Sequence, residues 1–247
     1  MSKSILFDST LCIGCGACRD ACKERNGLPP GEEKELNYNA VNVVKDYTIN
    51  GDTVFVRKFC MHCNDPSCVS VCPVGAFEKT SIGAVTYNKD KCMGCRYCMI
   101  ACPFQIPRYE WFNAFPVVKK CDMCYDRITS GKLTACVEAC PTGASVFGDR
   151  DELIKVAHEK MASSDKKMYL YGEKEVGGTA TLILTDIEPA KLGFPSNLPN
   201  EPLPMLTWNI LSKIPSFVLF GGTLLSGIWW ITSRRKEVEE FEKNNKK

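Results

Sequence analysis

An α+β fold that ends in one membrane-spanning helix is what this sequence of 247 residues predicts. Three observations carry the prediction. All 16 cysteines fall into four compact groups of four, with none left over. Short apolar runs separated by turn residues read as β-hairpins inserted around those groups. Ile214 to Thr232 then runs 19 residues without a charge, close to the roughly 20 that a spanning helix needs.

The cysteines come first because they decide the class. Group one is Cys12, Cys15, Cys18 and Cys22, spaced C-x2-C-x2-C-x3-C. Group two is Cys60, Cys63, Cys68 and Cys72; group three is Cys92, Cys95, Cys98 and Cys102; group four is Cys121, Cys124, Cys136 and Cys140. A disulfide scaffold has no need of regular C-x2-C clusters. A zinc site usually joins two C-x2-C knuckles from separate places. Three ligands at C-x2-C-x2-C with a fourth at x3, followed by proline in Cys72-Pro73, Cys102-Pro103 and Cys140-Pro141, is the run that binds a [4Fe–4S] cubane in bacterial ferredoxins. Group one departs, since Lys23 follows Cys22. Gly14, Gly16, Ala17 and Gly94 let the backbone approach a cluster closely.

In two-cluster ferredoxins the fourth cysteine of a run ligates the other cluster. Groups two and three are neighbours in sequence and should exchange ligands; groups one and four then pair around them. The expectation is two nested bacterial-ferredoxin-like modules holding four [4Fe–4S] clusters. Their ligands would be Cys12, Cys15, Cys18 and Cys140; Cys121, Cys124, Cys136 and Cys22; Cys60, Cys63, Cys68 and Cys102; and Cys92, Cys95, Cys98 and Cys72. A cluster with every iron thiolate-bound offers no open position for a substrate. The reading is therefore electron transfer, with no catalytic residues. Each such cluster carries a formal charge of about −2. Arg19, Lys58, Arg96, Lys119 and Lys120 are either counter-charges or solvated surface groups.

The cluster domain is expected over residues 1–186. Its opening, "MSKSILFDST", carries no signal-peptide pattern. "AVNVVKDY" and "TVFVRKF" flank Asn50-Gly51 and read as a hairpin. "GAVTYNKDKC" reads as a strand and turn before group three. "DRDELIKVAHEKM" reads as a helix with Asp149 as N-cap and Glu152 completing a capping box. "KMYLYG" and "TATLILTDI" read as late strands. Residues 187–213 are rich in proline and read as a linker, 214–232 as the spanning helix, and 233–247 as a charged tail. Lys213 precedes the span while Arg234, Arg235 and Lys236 follow it. The positive-inside rule puts the C-terminus in the cytoplasm and the cluster domain in the periplasm.

Other classes are disfavoured. A net charge of +2 gives no basic field for nucleic acid. The two histidines, His62 and His158, lie outside the apolar segment, and no C-x-x-C-H occurs, so haem is not expected in this chain. Neither a Walker A run nor a dinucleotide fingerprint is present. A self-contained iron–sulfur reductase, or a membrane-anchored assembly protein with structural clusters, remains the alternative of another class; the complete ligand count opposes it.

As a set, "CIGCGAC", "CMHCNDPSCVSVCPVGA", "KCMGCRYCMIACPF", "KCDMCYDRI" and "ACVEACPTGA" with the closing apolar helix resemble the four-cluster iron–sulfur β subunits of complex iron–sulfur molybdoenzymes and their hydrogenase relatives. The segment "EVGGTATLILTDIEPAKLGFP" is most similar to β subunits of membrane-bound formate dehydrogenase and of periplasmic nickel–iron hydrogenase. Nitrate reductase relatives replace a group-three cysteine by tryptophan, whereas Cys95 and its neighbours are intact here. The resemblance implies a complex in the inner membrane. A catalytic subunit, a molybdenum or tungsten formate dehydrogenase or else a nickel–iron hydrogenase, would feed this chain. An integral membrane quinone-reducing subunit, in some relatives a cytochrome b, would receive the electrons. Export as the passenger of a partner favours formate dehydrogenase, while "KLGFPSNLP" looks hydrogenase-like.

Overall fold

The computed structural model describes residues 2–113 and 117–245. In chain order the strands are β1 (Lys3–Asp8), β2 (Val43–Ile49), β3 (Asp52–Lys58), β4 (Phe77–Lys79), β5 (Val85–Tyr87), β6 (Arg108–Tyr109), β7 (Val118–Lys119), β8 (Ser145–Asp149), β9 (Tyr169–Tyr171) and β10 (Thr181–Thr185). The helices are α1 (Ala17–Arg25), α2 (Ser67–Ser70), α3 (Tyr97–Ala101), α4 (Tyr125–Thr129), α5 (Ala135–Glu138), α6 (Arg150–Ser163), α7 (Leu203–Leu211) and α8 (Ile214–Asn245).

One four-stranded sheet, ordered β8-β1-β10-β9, organises the first unit, which runs to Pro204. β1 pairs parallel with β10, Ile5 opposite Thr181, and antiparallel with β8, Ile5 opposite Phe147. Side chains alternate across a sheet, and here both faces are covered. Leu6, Leu182 and Leu184 pack with Leu153 and Ala157 of α6, which are spaced i, i+4 on one helix face. Ile5, Phe7 and Ile183 face the other way, into a core that contains Cys18, Cys60, Cys121 and Cys136. The sheet thus turns one face to a helix and the other to the cysteines.

The hairpin expected at Asn50-Gly51 is present as β2-β3, in register from Val43 opposite Lys58 to Ile49 opposite Asp52. Both turn residues have positive φ, +55° and +92°, as a two-residue turn of the favoured hand requires. The strand before group three is β5, paired with β4, and the two late strands are β9 and β10, paired antiparallel.

Three expectations change. The capping box does not form at the start of α6: Asp149 makes no cap hydrogen bond, and its carboxylate accepts from Lys3 Nζ at 3.0 Å. The proline-rich stretch is packed where it begins, because Leu192 and Phe194 are buried in the core and Val176 and Gly177 donate to Pro199 and Asn200. The apolar helix is longer than 214–232. The helical run Leu203–Asn245, α7 and α8 with a turn at residues 212–213, is long and apolar enough to cross a membrane. The charged tail is helical through Asn245, and residues 246–247 lie outside the described residues.

Candidate metal centres

Four copies of one loop carry the first two cysteines of each group. In C-x-x-C the residue before the second cysteine is left-handed every time: Gly14 (φ +72°), His62 (+48°), Gly94 (+74°) and Met123 (+59°). That bend turns its N–H back onto the first sulfur. His62, Gly94 and Met123 donate to the Sγ of Cys60, Cys92 and Cys121, each at 3.4 Å, and Gly14 does the same to Cys12. Groups one and three share more. A 3-10 turn precedes each, capped by Asp8 (Thr10 N–H, 3.0 Å) or Asn88 (Asp90 N–H, 2.9 Å), and a left-handed Gly16 or Arg96 starts the helix that carries the third cysteine.

The fourth cysteines show what the prolines do. Cys72, Cys102 and Cys140 each open a turn whose carbonyl accepts from the N–H three residues on, at Gly75, Gln105 and Gly143. All three of those residues are left-handed. The backbone then offers the next N–H to the sulfur: Ala76 to Cys72 at 3.2 Å, Ile106 to Cys102 at 3.5 Å, and Ala144 to Cys140. Cys22, which lacks the proline, stays inside α1. There the side-chain amide of Asn26 reaches its sulfur at 3.5 Å instead.

Electrostatic neighbours run both within the expected sets and across them. Burial pushes the Cys12 thiol up, a Gly14 N–H opposes it, and Cys140 and Cys15 add to the rise. Cys22 is pushed up to about 12 by burial, then by Cys136 and Cys124. Burial raises Cys63, with Cys60, Cys102 and Cys68 beside it. Cys98 rises to about 11 through burial, with Cys92, Cys95 and Cys72 around it. Links also run between sets: Cys18 neighbours Cys136, Cys121 neighbours Cys60, and Cys68 neighbours Cys98. Buried thiols of this kind ionise readily only when a metal replaces the proton.

The five basic residues divide between the two alternatives. Arg19 pairs with Asp20, Arg96 lies over Tyr109 and Trp111, Lys119 over Tyr38, and Lys58 over Phe194. Of the five expected cations, Lys120 is the one that lowers cysteine thiols, at Cys68 and Cys102. Two cations without a sequence signal also lie beside the thiols. Arg25 is paired with Asp122 and Asp126 beside Cys124, and Arg57 is fully buried beside Cys136 and Cys18. The alternation of "TVFVRK" gave Arg57 no distinctive mark, since a charged residue in a hairpin ordinarily faces water.

Two buried donors near the cysteines have no partner. His62 Nδ1 accepts the Val85 N–H at 2.9 Å, so Nε2 carries the proton; burial, then Lys120 and Lys79, keep the ring neutral. That Nε2, like Arg57 Nη2, is buried with no hydrogen bond. Among the described residues no three His, Cys, Asp or Glu side chains are grouped as ligands of a single metal ion. All 16 thiols are free of disulfides. Left-handed loops, N–H groups turned onto sulfurs and orphaned buried donors fit a multi-iron cluster with acceptor sulfides better than one zinc ion.

Known proteins agree. Residues 52–150 and residues 11–76 each match a family described as a 4Fe-4S dicluster domain. The protein is 39% identical over 241 residues to the hydrogenase-2 operon protein HybA of Escherichia coli O157:H7, covering 78% of its own length and 73% of that relative. It is 33% identical over 261 residues to the formate dehydrogenase-O iron-sulfur subunit of Escherichia coli K12, covering 97% and 86%. Over 154 residues it is 40% identical to the B subunit of the anaerobic dimethyl sulfoxide reductase of the same strain, covering 60% and 74%. On repeated loop, cysteine count and likeness together, the protein belongs to the family of iron–sulfur β subunits of oxidoreductase complexes.

Proposed function

We propose that this chain relays electrons through four [4Fe–4S] clusters, from a catalytic subunit toward a quinone-reducing membrane subunit. The clusters supply one-electron redox chemistry; the polypeptide fixes their number, sequence and surroundings. The ligand sets are Cys12, Cys15, Cys18 and Cys140; Cys121, Cys124, Cys136 and Cys22; Cys60, Cys63, Cys68 and Cys102; and Cys92, Cys95, Cys98 and Cys72. The observation that carries this reading is the loop repeated at all four cysteine groups, with neighbouring thiols as links from one group to the next. Those links support a single line in the order given. Its two ends hold the exposed thiols, Cys15 and Cys95, so electrons have a way on at one end and off at the other.

The exposed apolar helix Leu203–Asn245 supports anchoring in the membrane. The basic cluster Arg234, Arg235 and Lys236 after the span supports a cytoplasmic C-terminus and a periplasmic cluster unit. Two catalytic partners fit. Likeness to the formate dehydrogenase subunit spans 97% of the sequence and supports formate as the electron source. The higher identity to HybA, 39%, supports hydrogen as the second reading.

The test is anaerobic purification from the native membrane, with metal analysis of the protein and its partner. About 16 iron per chain is expected. Molybdenum or tungsten in the partner selects formate dehydrogenase, and nickel selects hydrogenase. Zinc in the cysteine unit, or far less iron, overturns the relay. Removal of residues 203–247 should release the cysteine unit from the membrane with its iron; a truncated protein still bound and still reducing quinone would refute the anchor.

A further inference from the structure

Arg57 is the most deeply buried charge in the cysteine unit. Its residue is 1% exposed, and no carboxylate pairs with it among the described ion pairs. Neutral groups hold it instead. Nη1 donates to Ser145 Oγ at 2.6 Å, Nε donates to Asn42 Oδ1 at 3.3 Å, and the guanidinium lies 4.1 Å from the Phe59 ring centroid. Asn42 in turn donates to the Cys18 carbonyl at 2.7 Å, which ties the cation to group one. Nη2 has no hydrogen-bond partner, while the guanidinium as a whole is within hydrogen-bonding reach of the Cys136 thiol.

Its position is between two sets. Asn42 links the Arg57 Nε to the Cys18 carbonyl on one side, and the Cys136 thiol meets the guanidinium on the other. A buried cation without a carboxylate is strongly unfavourable unless an anion is supplied. Two anionic clusters supply it, and an orphaned N–H is available to a thiolate or sulfide.

We infer that Arg57 sets the reduction potentials of the two clusters held by Cys12, Cys15, Cys18 and Cys140 and by Cys121, Cys124, Cys136 and Cys22, raising both and leaving the other two unmoved. Adding an electron makes a cluster more negative, so a fixed cation within the same low-dielectric core favours the reduced form. Selectivity follows from contact: the guanidinium is tied to Cys18 through Asn42 and reaches the Cys136 thiol, one ligand from each of the two sets. The inference rests on the ligand sets proposed above.

The experiment is potentiometric titration of the purified complex, followed by electron paramagnetic resonance, for wild type, Arg57→Gln and Arg57→Lys, with iron counted in each. In Arg57→Gln two of four cluster signals should become at least tenfold harder to reduce, about 59 mV for a one-electron couple. Arg57→Lys, which keeps the charge, should move them back toward wild type. Four unmoved potentials, or four that move together, overturn the inference while the relay stands. Should Arg57→Gln not hold its iron, Asn42→Asp decides: it sets a carboxylate on Arg57 Nε, so the same two potentials should fall, and four that stay or fall together overturn the inference. Fewer than four cubane signals in the wild type would instead refute the ligand sets beneath it.

Discussion

The runs Cys12–Cys22 and Cys92–Cys102 have the same spacing and the same loop, with φ of +72° at Gly14 and +74° at Gly94. What surrounds them differs. Cys18 lies in the main core with Ile5, Phe7 and Ile183, and its helix α1 has nine residues. Cys98 sits in a small cluster with Phe77, Val85 and Val118, and its helix α3 has five residues. Around the second run Met93, Tyr97 and Ile100 are exposed. The motif therefore fixes the shape of the loop, while the fold decides how firmly that shape is held without metal.

The comparison can be broken most severely by removing iron. Chelation under denaturant-free conditions should leave β1 and β10 protected from amide hydrogen exchange, because a helix and a second layer cover them. Residues 89–102 should lose protection, since metal binding there stands in for a core. Equal loss in both regions would end the distinction. Next come paired glycine variants. A Cβ on Gly14 would collide with the Phe55 ring, whereas one on Gly94 would meet Tyr109 Oη at 3.1 Å. Both positions carry the left-handed penalty of about 1–2 kcal/mol. Gly14→Ala adds overpacking of about 1–3 kcal/mol, so its midpoint in chemical denaturation should fall clearly below that of Gly94→Ala.

Two smaller effects sharpen the contrast. Asn42→Ala removes the donor to the Cys18 carbonyl and the acceptor for Arg57, leaving buried groups unpaired at about 1–3 kcal/mol. Thermal denaturation should register it. Arg96→Ala removes a cation from over Tyr109 and Trp111, at about 0.5–1 kcal/mol on an exposed surface. A loss from Arg96→Ala as large as that from Asn42→Ala would place the second run in a firmer setting than the packing indicates.

What was legible in the sequence is what local rules control. Asn50-Gly51 needed only two positive φ values, and the cysteine spacing needed only the loop. The hub of the fold was not legible. "SILFD" is five residues with no turn signal of its own, and its partners Val146 and Leu182 lie far along the sequence. No local pattern announces a pairing of that range. Asp149 illustrates competition: a good N-cap in sequence, it finds Lys3 brought beside it by the sheet. Arg57 was hidden for the opposite reason. A hairpin ordinarily has one wet face, but here its neighbour Val56 is buried too.

The parallel pairing of Ile5 with Thr181 also governs the order of biosynthesis. About 176 residues separate the two strands, so at ribosomal speeds of about 5–20 residues per second β1 waits roughly 9–35 s for its partner. All 16 cysteines emerge within that interval. The four groups are therefore all synthesised while the sheet is still open, and the last strand to be made closes the face that the cysteines line.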